Sequence, residues 1–222
     1  MMPPTNEEAP EMSKRIGHIC YLGVKRLFDI IISIVALFFV GLISIVIFFI
    51  DSFGDNKGPV FFKQRRIGKN HRVFYIYKYR SMVVNADRKL KANKKLHKLY
   101  VKNNYKLPPE KDPRITRFGK FLRKSSVDEL PQFLNILKGE MSLVGPRPIV
   151  DEELKVYGDQ ADKFLSVTPG AMGYWQASGR SRIAYPRRCK YELYYVDHAS
   201  LIFDLKVIFK SVVSIFKGDG AY

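Results

Sequence analysis

Ile30 to Ile50 reads IIISIVALFFVGLISIVIFFI, twenty-one residues without a charge, bounded by Asp29 and Asp51. At the rise of an α-helix this run covers about 30 Å, the thickness of a bilayer's hydrocarbon core. It is too long for the apolar region of a secretory signal peptide, and Asp51-Ser52-Phe53-Gly54 offers no small-residue cleavage site. The run is therefore read as a retained membrane segment that anchors whatever follows it.

Its flanks are basic on both sides: Lys14, Arg15, Lys25 and Arg26 precede it, and Lys57, Lys63, Arg65 and Arg66 follow it. A single span gathers its cations on the cytoplasmic side only. Two basic flanks instead favour a segment that enters and leaves by the same face, a bent re-entrant helix pair with Gly41 and Ser44 as its weak points. A straight span with its N-terminus outside is the alternative. Near the other end, Leu201 to Lys217 carries Lys206, Lys210 and Lys217 on one helical face among apolar residues. That pattern suits a helix lying in the headgroup plane or packed on the domain core.

The whole chain has 222 residues and a net charge of +17, from 38 Lys and Arg against 21 Asp and Glu. One catalytic-sized domain with an attachment fits that length, and the charge implies an anionic partner. Cys20 and Cys189 are too few and too far apart for a disulfide framework, which favours a reduced, cytosol-facing setting. His18 beside Cys20 lacks the further ligands a metal site needs. Residues 1 to 13, Pro-rich and acidic, read as a mobile tail.

Gly58 to Gly68 and Val73 to Arg80 are β-branched and aromatic runs separated by Gly-Lys-Asn-His, the pattern of a short hairpin. Lys78 and Arg80, two apart, would leave the second strand on one face. Asn85 to Tyr105 is a Lys-rich helical stretch, and Leu107 to Pro113 breaks it. A further helix is expected to gather Ile115, Phe118, Phe121 and Leu122 on one side, with Arg117, Lys120, Arg123 and Lys124 turned away. After the next helix, Gly170, Gly173 and Gly179 punctuate a loop-rich region that holds Trp175.

The chemistry points to Ser125-Ser126-Val127-Asp128-Glu129-Leu130-Pro131-Gln132. Ser126-x-x-Glu129 has the spacing of a capping box, while Pro131 favours a start near Leu130; both registers put Asp128 and Glu129 at a helix N-terminus. The helix dipole and nearby Arg123 would favour the ionised forms, suited to a carboxylate nucleophile or a metal ligand. A pair of capping acids is the plain alternative. Mg²⁺ takes one or two carboxylates plus substrate phosphates, and Lys78, Arg80, Arg123 and Arg147 could hold phosphate oxygens. Pro146-Arg147-Pro148 is a stiff segment that fixes where Arg147 points and offers flat apolar surface to a base. With no GxxxxGK[ST] or GxGxxG, the residues point to phosphoryl transfer through a covalent aspartyl intermediate.

Lys25-Arg26-Leu27-Phe28-Asp29, Gly58-Pro59-Val60-Phe61-Phe62-Lys63-Gln64, Lys78-Tyr79-Arg80-Ser81-Met82, Asp128-Glu129-Leu130-Pro131-Gln132 and Pro146-Arg147-Pro148 together resemble the bacterial sugar transferases, the monotopic polyprenyl-phosphate phosphoglycosyl transferases. Gln176 to Ser181 and Gly218 to Tyr222 are similar to the hexose-1-phosphate branch. The resemblance implies a mostly helical α+β monotopic membrane protein: a tail over 1–24, a re-entrant membrane helix over 25–56, and a cytoplasmic catalytic domain over 57–222 with interfacial helices and a small β-hairpin.

It implies transfer of hexose-1-phosphate from UDP-galactose or UDP-glucose to undecaprenyl phosphate, with release of UMP, at the cytoplasmic face of the bacterial inner membrane. Exopolysaccharide, capsule or O-antigen synthesis would start there. Asp128 would be the nucleophile and Glu129 its partner in holding Mg²⁺. Lys78, Arg80, Arg123, Arg147 and Arg180 would contact phosphates or nucleotide, with Pro146 and Pro148 near the uracil. The partners implied are the UDP-sugar, the lipid phosphate and membrane lipids, with no nucleic acid; a homodimer stays open. Family members usually carry Ser-Pro at the helix bend, where this chain has Val40-Gly41. The rival readings are a membrane-tethered nucleic-acid-binding protein, suggested by Tyr75, Tyr77 and Tyr79 among cations, and a non-catalytic scaffold.

Overall fold

The computed structural model describes residues 8–102, 107, 112–179 and 182–216. The apolar run becomes part of one helix, α1 (Glu8–Ile50), which continues without interruption through Gly41 and Ser44. Residues 8–24, assigned from sequence to a tail, belong to this helix, and Tyr21 is already buried against the domain. Residues 1–7 lie outside the described residues.

Burial along α1 repeats on a single face: Tyr21, Asp29, Ser33, Val40 and Ile47, with Asp51 just beyond the last turn. Spacings of four, seven and eight residues return to the same side of a helix. The opposite faces expose Phe28, Ile31, Ile34, Phe38, Phe39, Leu42, Ile45 and Phe49. The helix is thus apolar outward and partly polar inward, the reverse of a helix on a water-soluble domain.

The inward side of the helix docks on several later elements. Both terminal nitrogens of Arg26 donate to the last carbonyls of α5 (Gln132–Lys138), at 2.6 Å to Ile136 O and 2.7 Å to Leu137 O. Lys25 pairs with Asp204 on α10 (Leu201–Phe216), which also accepts from Tyr21 at 3.0 Å and from Tyr195 at 2.6 Å. Asp29 accepts the backbone N–H of Leu143 at 2.8 Å. At the far end, the Tyr79 hydroxyl donates to Val40 O at 2.9 Å, and Asp51 lies 3.3 Å from Arg80.

The expected hairpin forms as β1 (Phe61–Ile67) and β2 (Val73–Tyr79), antiparallel with Phe61 opposite Tyr79 and Ile67 opposite Val73. The Lys-rich stretch is two helices, α2 (Ala86–Ala92) and α3 (Lys94–Lys102), divided at Asn93. In α4 (Arg117–Lys124) Leu122 is buried as expected, but Phe121 is 60% exposed, so the apolar side is narrower than its sequence suggests. Gly119 sets how closely α4 approaches the chain after β2: a Cβ there would stand 1.9 Å from Ser81 O.

The loop-rich region hides a second sheet. Strand β3 (Ser142–Val144) pairs in parallel with β4 (Gly170–Met172), and the backbones of Gly145 and Gly170 meet so closely that a Cβ on Gly170 would lie 2.0 Å from Gly145 N. Three-residue strands carry too few positions to show a period. Short helices α6 (Asp151–Leu154), α7 (Ala161–Phe164) and α8 (Tyr174–Ser178) lead to α9 (Arg187–His198). The main core joins Phe74 and Ile76 of β2 with Ile136, Leu143, Val144, Tyr195 and Val207. Helix α10 packs on this core through Val207, with Ser211 also buried, while Ile202, Leu205 and Phe209 are exposed.

Gly119→Ala should destabilise the domain by about 1–3 kcal/mol, the scale of an overpacked core. Thermal unfolding in detergent reads this directly; an unchanged midpoint would show that α4 can back away from Ser81.

Candidate active site

Ser126 adopts a left-handed backbone, φ 58°, and starts a single 3₁₀ turn over Val127–Glu129. Pro131 then stands at the N-cap of α5, so the helix begins at Gln132 and the acidic pair lies one turn ahead of it. The expected capping box does not form, for Ser126 makes no side-chain cap bond. Proline in the cap position fixes the start of α5 too late for Glu129 to serve as its third residue.

Four elements bring cations to this turn. Lys78 of β2 donates to Glu129 Oε1 at 2.6 Å, and Arg147, in the loop after β3, has Nη1 3.6 Å from the same oxygen. Arg123 of α4, expected to turn away, instead points inward, its Nε donating to Ser81 Oγ at 2.8 Å. Asp128 is the attraction that most favours its charge, against the burial that lowers its pKa. Arg66, at the end of β1, completes the set. Its side chain is 11% exposed, 3.6 Å from Glu153 and bonded to Gln64 at 2.7 Å. Its Nε is buried with no acceptor among the described residues. Burial first, then repulsion from Arg147, bring the Arg66 guanidinium down to about 10.

In the sequence Arg66 reads only as one of the cations flanking the apolar run, not as a site residue. The available signal was Gln64-x-Arg66, which strand alternation puts on one face. Arg80 is the opposite case. Although it was expected to bind phosphate beside Lys78, its guanidinium is only 7% exposed and donates to the carbonyls of Pro59, Met82 and Asn56 while pairing with Asp51. It lies just past the end of β2, where backbone carbonyls and Asp51 take up its guanidinium. Pro146 and Pro148 are both buried, so they stiffen the Arg147 loop rather than offering it an open apolar surface. Arg180, Ser181 and residues 217–222 lie outside the described residues.

Asp128 is 9% exposed, and its carboxyl is pushed up to about 6. Burial is the main cause and Glu129 adds to it; Lys78, Arg123 and Arg147 pull the other way without matching it. The expectation of a strongly favoured carboxylate is corrected, because desolvation outweighs the cations. Near neutral pH the group is still mostly ionised, and it is poorly solvated, which suits a nucleophile.

Among the described residues no cluster of three or more His, Cys, Asp or Glu is placed to bind a metal. Asp128 and Glu129 supply two carboxylates, which fits the habit of Mg²⁺ of combining one or two carboxylates with phosphate oxygens and water.

The elevated Asp128 value has a sign for stability. A carboxylate in unfolded chain titrates near 4, so folding penalises its ionised form; the penalty is absent below about pH 4, grows to about pH 6 and is complete above it. Asp128→Asn should therefore raise the unfolding midpoint at pH 7.5, by no more than about 3 kcal/mol of stability. The gain should shrink as pH falls to 4. A gain that ignores pH would contradict the desolvated carboxylate.

The family model described as bacterial sugar transferase matches residues 20–218. Over 202 residues the chain is 41% identical to the undecaprenyl-phosphate galactose phosphotransferase of Salmonella typhimurium, covering 90% of this chain and 42% of that protein. It is 40% identical over 202 residues to the exopolysaccharide production protein ExoY of Sinorhizobium fredii, covering 89% and 88%. Over 212 residues it is 36% identical to the UDP-N-acetylgalactosamine-undecaprenyl-phosphate N-acetylgalactosaminephosphotransferase of Aeromonas hydrophila, covering 90% and 45%. The chain thus spans less than half of the first and third relatives and most of the second.

Proposed function

The chain belongs to the bacterial sugar transferase family, and from that premise we propose that it moves a sugar-1-phosphate from a UDP-sugar to undecaprenyl phosphate and releases UMP. The observation that carries this reading is Asp128, a desolvated carboxylate among Lys78, Arg123 and Arg147 in a domain docked on a lipid-facing helix. In the first step, an Asp128 oxygen attacks the phosphorus that bears the sugar. The bond to the bridging oxygen breaks, and the electron pair leaves with UMP. In the second, an oxygen of the lipid phosphate attacks the same phosphorus, the acyl-phosphate bond breaks and the Asp128 carboxylate is restored.

Both leaving groups depart as anions, so the need is for positive charge rather than for a proton donor. Arg147 and Lys78, already held at Glu129, would supply that charge. Mg²⁺ held through Asp128 and Glu129 would supply further neutralisation of the diphosphate. Galactose is the first donor to try, given the name of the Salmonella relative. Nucleic-acid binding and scaffolding leave a buried carboxylate beside four cations without a purpose.

The membrane reading rests on α1. Its N-terminal half docks through Lys25, Arg26 and Asp29 and its C-terminal half through Val40 and Asp51, all on one charged domain. A domain of this polarity cannot accompany a helix across hydrocarbon. On this reading both ends of α1 lie on one side of the bilayer, taken as the cytoplasmic one, with its apolar faces and those of α10 sunk into the leaflet. Cysteines at Ser13 and Ser52 should both react with an impermeant reagent from the cytoplasmic side; labelling from opposite sides would restore a true span.

UMP release across a panel of UDP-sugars, with undecaprenyl phosphate and Mg²⁺, tests the activity. Asp128→Asn should abolish it, and UDP-sugar alone should add one hexose phosphate in mass to the Asp128 peptide. Because the nucleophile must be ionised, kcat/KM should fall about tenfold per pH unit below about 6. Active enzyme that shows no adduct on rapid quenching would mean direct transfer in a ternary complex.

A further inference from the structure

Pro146-Arg147-Pro148 contains a single backbone N–H, that of Arg147, because proline has none. That N–H donates to Glu192 Oε1, 3.3 Å away on α9. Glu192 is 1% exposed. The same oxygen accepts from Arg188 Nη2 at 3.2 Å, and the other accepts the Tyr157 hydroxyl. Arg188 in turn stacks its guanidinium over Trp175 at 4.1 Å and Tyr185 at 4.7 Å. A second arm runs from Arg188 to Glu153 at 3.4 Å and from Glu153 to Arg66 at 3.6 Å, so the network reaches two of the site's cations.

The loop is tied on both sides by backbone bonds. Gly145 N donates to Met172 O at 3.0 Å, Gly170 N donates to Pro146 O at 2.8 Å, and Ile67 N donates to Ile149 O at 2.9 Å. Between these ties the one donor the loop can offer is given to Glu192, and from that point the Arg147 side chain reaches Glu129 at 3.6 Å. A buried carboxylate is an unfavourable way to pack α9. Burial raises the Glu192 pKa, with Arg188 the chief opposing influence. An apolar pair would fill the volume at least as well. What it would not provide is an acceptor for the Arg147 N–H.

We propose that Glu192 is a positioning residue for the transfer reaction: through the only N–H of the Pro146-Arg147-Pro148 loop, it fixes where the Arg147 guanidinium stands at the acidic pair. Arg188 and Tyr157 are the means by which the fold keeps that carboxylate buried and oriented. The proposal rests on the sugar-phosphate transfer reading for its effect on turnover, whereas the tether itself is physical and can be measured without turnover.

The test compares two double variants of the full-length protein, Arg188→Met with Glu192→Leu and Arg188→Met with Glu192→Gln. Both remove the buried cation that needs a partner; only the second keeps an acceptor at 192. Hydrogen exchange at the Arg147 amide should be protected in the Gln version and at least about tenfold faster in the Leu version, at similar unfolding midpoints. UMP release should follow, with kcat/KM about tenfold lower in the Leu version and recovered in the Gln version. Its division between KM and kcat should match that of Arg147→Ala. In an Arg147→Ala background the Leu–Gln difference should fall below about twofold, since residues that act through one another are not additive. Equal amide exchange in the two versions, or a Leu–Gln difference that persists without the Arg147 side chain, overturns the proposal. Wild-type protein that releases no UMP from any donor overturns the transfer reading instead, and the amide exchange still decides the tether.

Discussion

Arg26 leaves a helix whose outer faces are suited to hydrocarbon and closes the C-terminal end of α5 with two charge-assisted bonds to Ile136 O and Leu137 O. The last carbonyls of a helix have no partner within it, and a guanidinium there also meets the negative end of the helix dipole. Helix α5 is the element that follows the Asp128-Glu129 turn. Its C-terminal end is thus held by α1, and its interior by Asn135, which donates to Tyr75 O at 2.8 Å and accepts from Tyr77 N at 3.0 Å on β2. A side-chain amide there takes the place of a missing neighbouring strand. The turn, the hairpin and α1 consequently share one frame, and none can move alone.

Inside that frame the site works against stability. Asp128 would be better solvated at the surface, and Arg66 and Arg123 are both held under burial that disfavours their charge. Lys78 and Arg147 are close to Glu129 rather than bonded to Asp128, so their field offsets only part of the burial of Asp128 while its oxygens are not tied down by a direct ion pair to either. That division suits the two carboxylates to different work: Glu129 organises the cations, and Asp128 is left poorly solvated. The stabilising contacts are elsewhere, in Asp204 with its three donors and in the core of Phe74, Ile76, Ile136 and Val207.

What could be read before any coordinates were known follows the length scale of each signal. The apolar run, the hairpin and the Lys-rich helices repeat a pattern over many residues, and each is present. The Asp128-Glu129 turn was found through its charge, but its geometry was misread, since a capping box and a 3₁₀ turn before Pro131 share the same letters. Asp128's pKa was misjudged because burial is not visible in sequence while neighbouring cations are. Strand alternation puts Arg80 with Lys78, but it cannot show that backbone carbonyls and Asp51 take up the Arg80 guanidinium; Arg66 reads in the sequence only as a flanking cation, although Gln64-x-Arg66 shows the same alternation. The β3–β4 pair depends on two glycine backbones in contact across twenty-five positions, and no local pattern reports that.

The consequence of strand alternation is sharpest at Lys78 and Tyr79. Adjacent residues of a strand point to opposite faces, so β2 sends Tyr79 to Val40 O on α1 and Lys78 to Glu129 in the site. A slip of one residue would turn every side chain of the strand over, removing the lysine from the carboxylate and the tyrosine from the helix together. The register is fixed by seven residue pairs along the hairpin and by Asn135 at its open edge. The height at which α1 docks on the domain and the placement of a cation at the acidic pair are therefore set by the same backbone pairing. Under the proposed transfer to a lipid phosphate that link has a use, since the site would then stand at a fixed level above the surface that presents the substrate.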